Sequence, residues 1–210
     1  SSKKLMGMTL TEFANETASE SPAPGGGSTS AYVGALGVSL GTMVANLSSH
    51  KRGWDDKWEY YSEWAAKGQS YKDHLMHLVD EDTNAFTKIM DAFGFPKGTD
   101  AEKSARKQAI TDATKGAIQV PLSVMKTTLE SMKVMLEMAK TGLPASISDA
   151  GVGALCARTA IRGAHLNVKI NAAGLNEKSY VEDLYKESDM ILAKAEELEN
   201  EILELVMSKI

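Results

Sequence analysis

A triple glycine behind two prolines is the first piece of this sequence that could do chemistry. It reads Ser21-Pro22-Ala23-Pro24-Gly25-Gly26-Gly27-Ser28-Thr29 and runs directly into an uncharged segment. Glycine lets a ligand approach the backbone, and free N–H groups at a helix start favour an anion or an electron-rich carbonyl. The same residues would equally make a tight turn with a Ser or Thr cap. A Walker loop is excluded, because no Gly-Lys-Ser/Thr follows. Asp82 is the second candidate. Leu75, Leu78, Val79, Phe86 and Ile89 recur at helical spacing, and the apolar stripe they form passes through its position. A carboxylate there is costly to desolvate unless it is paired, protonated or functional. Such a group tends to a raised pKa and can serve as an acid or base. The structural alternative is an Asp82 that pairs with a cation or backbone group at a helix crossing.

A further set lies after Ser148. Asp149 stands at a Ser-Asp helix start, a position that suits a capping or dipole-matched carboxylate as well as a catalyst. Arg158, Arg162, His165 and Lys169 follow at steps of four, three and four, forming one cationic face that is either solvated or met by carboxylates. Asn167 and Asn171 are one turn apart on another face, among Gly163, Ala164, Ala172 and Ala173. Amides in such surroundings can hydrogen-bond a heterocycle or a neighbouring backbone. His50, His74 and His77 lack a supporting ligand set, so no metal is expected. Trp54, Trp58 and Trp64, with Tyr60 and Tyr61, read as packing or interface surface.

These residues need a frame, and the composition supplies one. With 210 residues and 43% hydrophobic content, residues 1–210 can build a single domain with its own core. The net charge of -5 gives no overall basic field, so neither nucleic acid nor an anionic membrane is an expected partner. A lone cysteine, Cys156, excludes an intrachain disulfide and fits a reducing, cytoplasmic compartment. No apolar run near the start is long enough for a signal-peptide core. Residues 31–47 carry no charge, but Gly34, Gly37, Ser39, Gly41, Thr42 and Asn46 dilute them below a membrane span, so a helix enclosed by protein is expected.

Apolar residues recur at three- and four-residue steps throughout, so the expected fold is all-α. It is an up-and-down bundle of about six helices near 9–20, 27–49, 55–93, 99–141, 148–174 and 178–208. Thr9 with Glu12, Thr99 with Glu102 and Ser179 with Glu182 have the capping-box spacing that marks a helix start. Pro121 predicts a kink, or a division of the fourth segment into two helices. Leu184, Ile191, Ala195, Leu198, Ile202 and Leu205 make an apolar seam on the last segment, which favours self-association as a homodimer.

Taken together, the order of these pieces resembles a known family across nearly the whole chain. Ser-x-x-Pro-Gly-Gly-Gly-Ser leads into an Ala/Gly-rich helix and Val44-Ala45-Asn46-Leu47. Then come Asp80-Glu81-Asp82-x-x-Ala85-Phe86, Pro121-Leu122, Ser148-Asp149-Ala150-Gly151-Val152 and Asn167-Val168-x-Ile170-Asn171. The chain is similar to the cyclodeaminase domain of formiminotransferase-cyclodeaminase and to methenyltetrahydrofolate cyclohydrolases. The resemblance implies an all-helical dimer with a folate pocket. It also implies conversion of a formimino-tetrahydrofolate to the methenyl form with release of ammonia, a step of histidine degradation. Hydrolysis of the methenyl form on the same scaffold is the rival, and an interaction protein docking through its Glu-rich last helix is a reading of another class.

The chemistry so implied needs proton transfer and orientation, with the tetrahydrofolate derivative as substrate and no permanently bound cofactor. Asp82 is the expected proton-transfer group and Asp149 the alternative. Gly25, Gly26, Gly27 and Ser28 would hold the pterin or aminobenzoate portion. Asn167 and Asn171 would orient the pterin, while Arg158 or Arg162 would meet the glutamate carboxylates. Nothing in the sequence has the mixed α/β pattern of a transferase, so either a separate glutamate formiminotransferase or a missing segment would load the formimino group.

Overall fold

Two of the three capping boxes close in the computed structural model, which describes residues 4–210. Six α-helices follow one another among these residues: α1 (Leu10–Thr17), α2 (Gly26–Ser49), α3 (Trp58–Phe93), α4 (Asp100–Thr141), α5 (Ile147–Ala172) and α6 (Lys178–Met207). Thr9 opens α1, its hydroxyl accepting from the Glu12 N–H at 3.1 Å while Glu12 accepts from the Thr9 N–H at 2.7 Å. Thr99 and Glu102 open α4 in the same way, at 3.1 and 2.9 Å. The third box does not form. α6 starts at Lys178, as expected, but its N-cap is Glu177, with no side-chain cap. Glu177 is tied to Lys115 of α4 by a 2.5 Å ion pair, which fixes the chain before Ser179 is reached.

Nor does Pro121 divide α4, which is continuous from Asp100 to Thr141. Proline has no backbone N–H to donate there, and Pro121 is buried, as are Ile118, Leu122, Val124 and Met125 around it in the chain.

The helices alternate in direction, as an up-and-down bundle requires. Gly34 of α2 lies against Leu75 of α3 and Gly68 against Thr42, so α2 and α3 are antiparallel. Gly34 also meets Thr128 and Gly41 meets Met135, which makes α4 parallel to α2. α5 runs against α2, from Gly153 beside Gly37 to Gly163 beside Ser30. α2 is therefore central, touching α3, α4 and α5. By length and hydropathy it alone among the described helices could cross a bilayer, but its small residues are the contact points of the bundle. A Cβ on Gly37 would stand 2.9 Å from the Gly153 carbonyl, and one on Gly153 2.7 Å from the Gly37 carbonyl. Side chains at either position would force these two backbones apart.

α6 lays its seam inward. Leu184, Ile191, Ala195 and Ile202 are buried and Leu198 and Leu205 are partly so, against α4 and α5. The seam expected to favour self-association is thus used within the chain. Ion pairs flank it, Lys126 with Glu187 at 2.6 Å and Arg158 with Glu199 at 3.0 Å. Of the aromatic group, Trp54 stacks on Tyr61 with centroids 5.6 Å apart, Trp64 packs on the core, and Trp58 is exposed.

Candidate active site

Asp82 sits on the glycine-opened start of α2. Gly25 is the N-cap, and Gly26 and Gly27 form the first turn, where backbone N–H groups have no partner within the helix. The carboxylate of Asp82 accepts from the Ser28 hydroxyl at 3.2 Å and from the Ser28 backbone N–H. The same hydroxyl reaches the Val79 carbonyl at 3.0 Å, one turn earlier on α3. Gly27 is required by contact: a Cβ there would lie 2.6 Å from Cγ of Asp82. The triple glycine and the acid on the apolar stripe, two separate signals in the sequence, therefore meet in one place.

The electrostatics of Asp82 has a clear direction. Burial disfavours its charged form and pushes its pKa above the ordinary aspartate value, while the two Ser28 hydrogen bonds pull the other way and only partly offset it. An aspartate so placed changes protonation closer to neutrality than an exposed one does, which suits proton transfer.

Around it is a cleft of about 170 Å³, lined by Pro22, Ala23, Gly25, Gly26, Gly27, Asp82, Thr83, Phe86, Ile89, Ala117, Asn167 and Asn171. The amide of Asn167 donates to the Gly163 carbonyl at 3.1 Å, which fixes its plane beside Gly26. Thr83 contributes a buried hydroxyl with no hydrogen-bond partner. Its usual helical acceptor, the carbonyl four residues back, is that of Val79, already engaged by Ser28.

The structure gathers Gly25, Gly26, Gly27, Ser28, Asp82, Asn167 and Asn171 and leaves three expected residues elsewhere. Asp149 is in the first turn of α5, about 27 Å along the helix from Asn167 at ~1.5 Å per residue, where its charge matches the helix dipole. Arg158 is drawn to α6, bonding the Leu192 carbonyl at 3.3 Å as well as Glu199. Arg162 is exposed and outside the cleft lining. Sequence reasoning missed Thr83 and Ala117, and it took Phe86 and Ile89 for core positions. Their stripe spacing was visible, but the place where α2 stops covering the stripe was not.

A helical bundle with a largely buried carboxyl of raised pKa set into a glycine-lined cleft is a frame that suits acid–base chemistry. Residues 9–190 match the sequence pattern of formiminotransferase-cyclodeaminase, and the chain belongs to that family. It is 37% identical to a methenyltetrahydrofolate cyclohydrolase of Methylorubrum extorquens over 96% of this chain and 97% of that one. It is also 35% identical to the formimidoyltransferase-cyclodeaminase of Dictyostelium discoideum over 98% of this chain, which spans only 37% of that protein. The fold matches that of a formiminotetrahydrofolate cyclodeaminase from Thermotoga maritima with a TM-score of 0.84, 23% identity and 96% of each chain covered. Both names given to the sequence relatives are those of enzymes, and the chain is an enzyme of this family.

Proposed function

We propose that this chain transfers protons at the one-carbon bridge between N5 and N10 of tetrahydrofolate, with Asp82 as the catalytic acid–base group. The observation that carries the reading is Asp82 itself, a carboxyl of raised pKa at the glycine-opened start of α2 inside a family-typical bundle. Hydrolysis of the methenyl bridge is the first form of the reaction, favoured by the relative matched end to end. Water adds to the bridge carbon and gives a proton to Asp82. That proton passes to N5 as the carbon–N5 bond breaks, and the hydroxyl proton leaves to solvent as the formyl carbonyl forms on N10. Proton transfer of this kind contributes roughly 10²–10⁴-fold.

Deamination of 5-formimino-tetrahydrofolate is the second form, favoured by the cyclodeaminase relatives. N10 adds to the carbon of the protonated amidine, Asp82 moves the N10 proton to the amine, and ammonia leaves as the methenyl bridge closes. Both forms pass through one tetrahedral carbon, need no resident cofactor and use the same acid. In the second, a glutamate formiminotransferase, as a separate polypeptide or as a further segment of the same protein, supplies the substrate. We place the chain in a homodimer, through a face of α2 and α5 described below.

Incubation with each folate, following methenyl absorbance and ammonia together, separates the two. Loss of absorbance from methenyl-tetrahydrofolate without ammonia identifies hydrolysis, and gain of absorbance with equimolar ammonia from the formimino substrate identifies deamination. Turnover of neither overturns the reading.

A further inference from the structure

α3 continues past the cleft. Asp82 meets the start of α2, yet the helix runs on to Phe93, and residues 83–93 add about 16 Å at a rise of ~1.5 Å per residue. Over that length the stripe carries on as Phe86, Ile89, Met90 and Phe93, at three- and four-residue steps and hence on one face. Leu75 and Val79, earlier on the stripe, are fully buried, whereas Phe86, Met90 and Phe93 are 46%, 53% and 49% exposed. Phe86 and Ile89 belong at the same time to the wall of the cleft. An apolar shelf thus leads out of the acid-bearing chamber along the projecting part of α3.

The shelf ends on a cation. Arg106 of α4 donates from Nε to the Phe93 carbonyl at 3.1 Å, and its guanidinium lies 5.5 Å from the Phe93 ring centre. No carboxylate pairs with Arg106 among the described residues, so its terminal nitrogens keep the fork that suits a carboxylate. The chamber, at about 170 Å³, is smaller than the roughly 300–1,000 Å³ of ordinary ligand pockets. It suits one bicyclic ring system and leaves the rest of a larger molecule outside. Acid, aromatic shelf and cation follow in the order in which a reduced folate presents its reacting nitrogen, its aryl ring and its carboxylates.

We infer that the shelf formed by Phe86, Met90 and Phe93 binds the aminobenzoyl ring of the substrate, and that Arg106 receives its glutamate carboxylate. The inference rests on the reading of the cleft as a tetrahydrofolate site and adds where the non-reacting half lies. Aromatic and thioether surfaces favour an aryl ring. Binding energy from this remote half would hold the bridge carbon against Asp82. Arg158 of α5, spent on α6, is replaced in this role by Arg106 of α4.

Calorimetry with three probes tests the assignment: a tetrahydropterin without a tail, tetrahydropteroate, which adds the aminobenzoate, and tetrahydrofolate, which adds the glutamate. Phe86→Ala is expected to raise Kd about tenfold for the last two and to leave the tailless pterin within about twofold. Arg106→Gln is expected to weaken tetrahydrofolate alone, by about fivefold or more. Phe86→Leu, which keeps apolar bulk, guards against a folding loss and should fall between wild type and Phe86→Ala. Equal effects on all three probes, or none, overturn the inference. So does a change of oligomeric state by light scattering in Phe86→Ala, which would make the shelf a contact between copies. If the wild type binds none of the probes, the folate reading itself fails, a result distinct from a wild type that binds and variants that match it.

Discussion

Asp82 has two possible employments, and stability separates them. As a structural cap of α2 it would stabilise the fold by its charge. Its raised pKa implies the reverse. A carboxyl that holds its proton more tightly in the native state than in the unfolded chain loses stability as pH rises from the unfolded value, about 3.9, to the native one, and the loss is level above that. Asp82→Asn keeps the shape and an oxygen for Ser28 but carries no charge. It is expected to have a higher Tm than wild type at neutral pH, a gap that closes toward pH ~4, together with a loss of turnover of about 10²-fold or more. Thermal melts across pH and single-turnover rates measure both. A lower Tm at neutral pH with activity retained would make Asp82 a cap only. Around Asp82, the sequence already showed the acid on the apolar stripe and the glycines as an opened backbone. That Ser28 joins them, and that Thr83 is left without a partner, depends on which carbonyl Ser28 reaches.

At the scale of elements, glycine is placed where helices cross. Each glycine inside α2 lowers helix propensity by about 1 kcal/mol relative to alanine. By propensity alone, Gly37→Ala should therefore stabilise the protein. The Gly153 carbonyl 2.9 Å from the added carbon reverses the sign. Overpacking of this kind is typically worth about 1–3 kcal/mol, so Gly37→Ala and Gly153→Ala are each expected to be destabilised by about that much in urea unfolding. Because the two positions face each other, the double variant should not be additive. Stabilisation of either single variant would show that α2 and α5 are not in contact there. The capping boxes of α1 and α4 were legible because their partners are three residues apart in the chain. The failure at Ser179 was not, because Lys115, which holds Glu177, is far away in sequence.

For the whole molecule, the proposed homodimer requires a face that could meet a second copy. The Glu-rich last helix offered the most regular seam, and the fold uses it internally. Large apolar side chains remain exposed on α2 and α5, Leu36, Met43 and Leu47 on one helix and Val152, Leu155, Leu166 and Ile170 on the other. Leu166 and Ile170 are 69% and 73% exposed, next to Asn167 and Asn171 of the cleft. Exposed apolar side chains on two helices packed against each other suit an interface. The wild type is expected to sediment as a dimer and Leu155→Asp as a monomer with its helical content intact. A monomeric wild type at micromolar concentration would remove this face from consideration.

What the sequence determined by itself was local or periodic: the helices and most of their ends, the inward stripe of α3, and the small-residue helix that lets backbones approach. These follow from interactions within a turn or two, so spacing encodes them. Tertiary structure decided everything that depends on where one helix ends relative to another. It brought Gly27 beneath Asp82, turned Arg158 toward Glu199, set the Asn167 end of α5, and not its Asp149 end, beside the glycines, and left Phe86 open because α2 begins only at Gly26. Such facts are set by the packing offset between helices distant in sequence, and no periodicity within one helix records that offset.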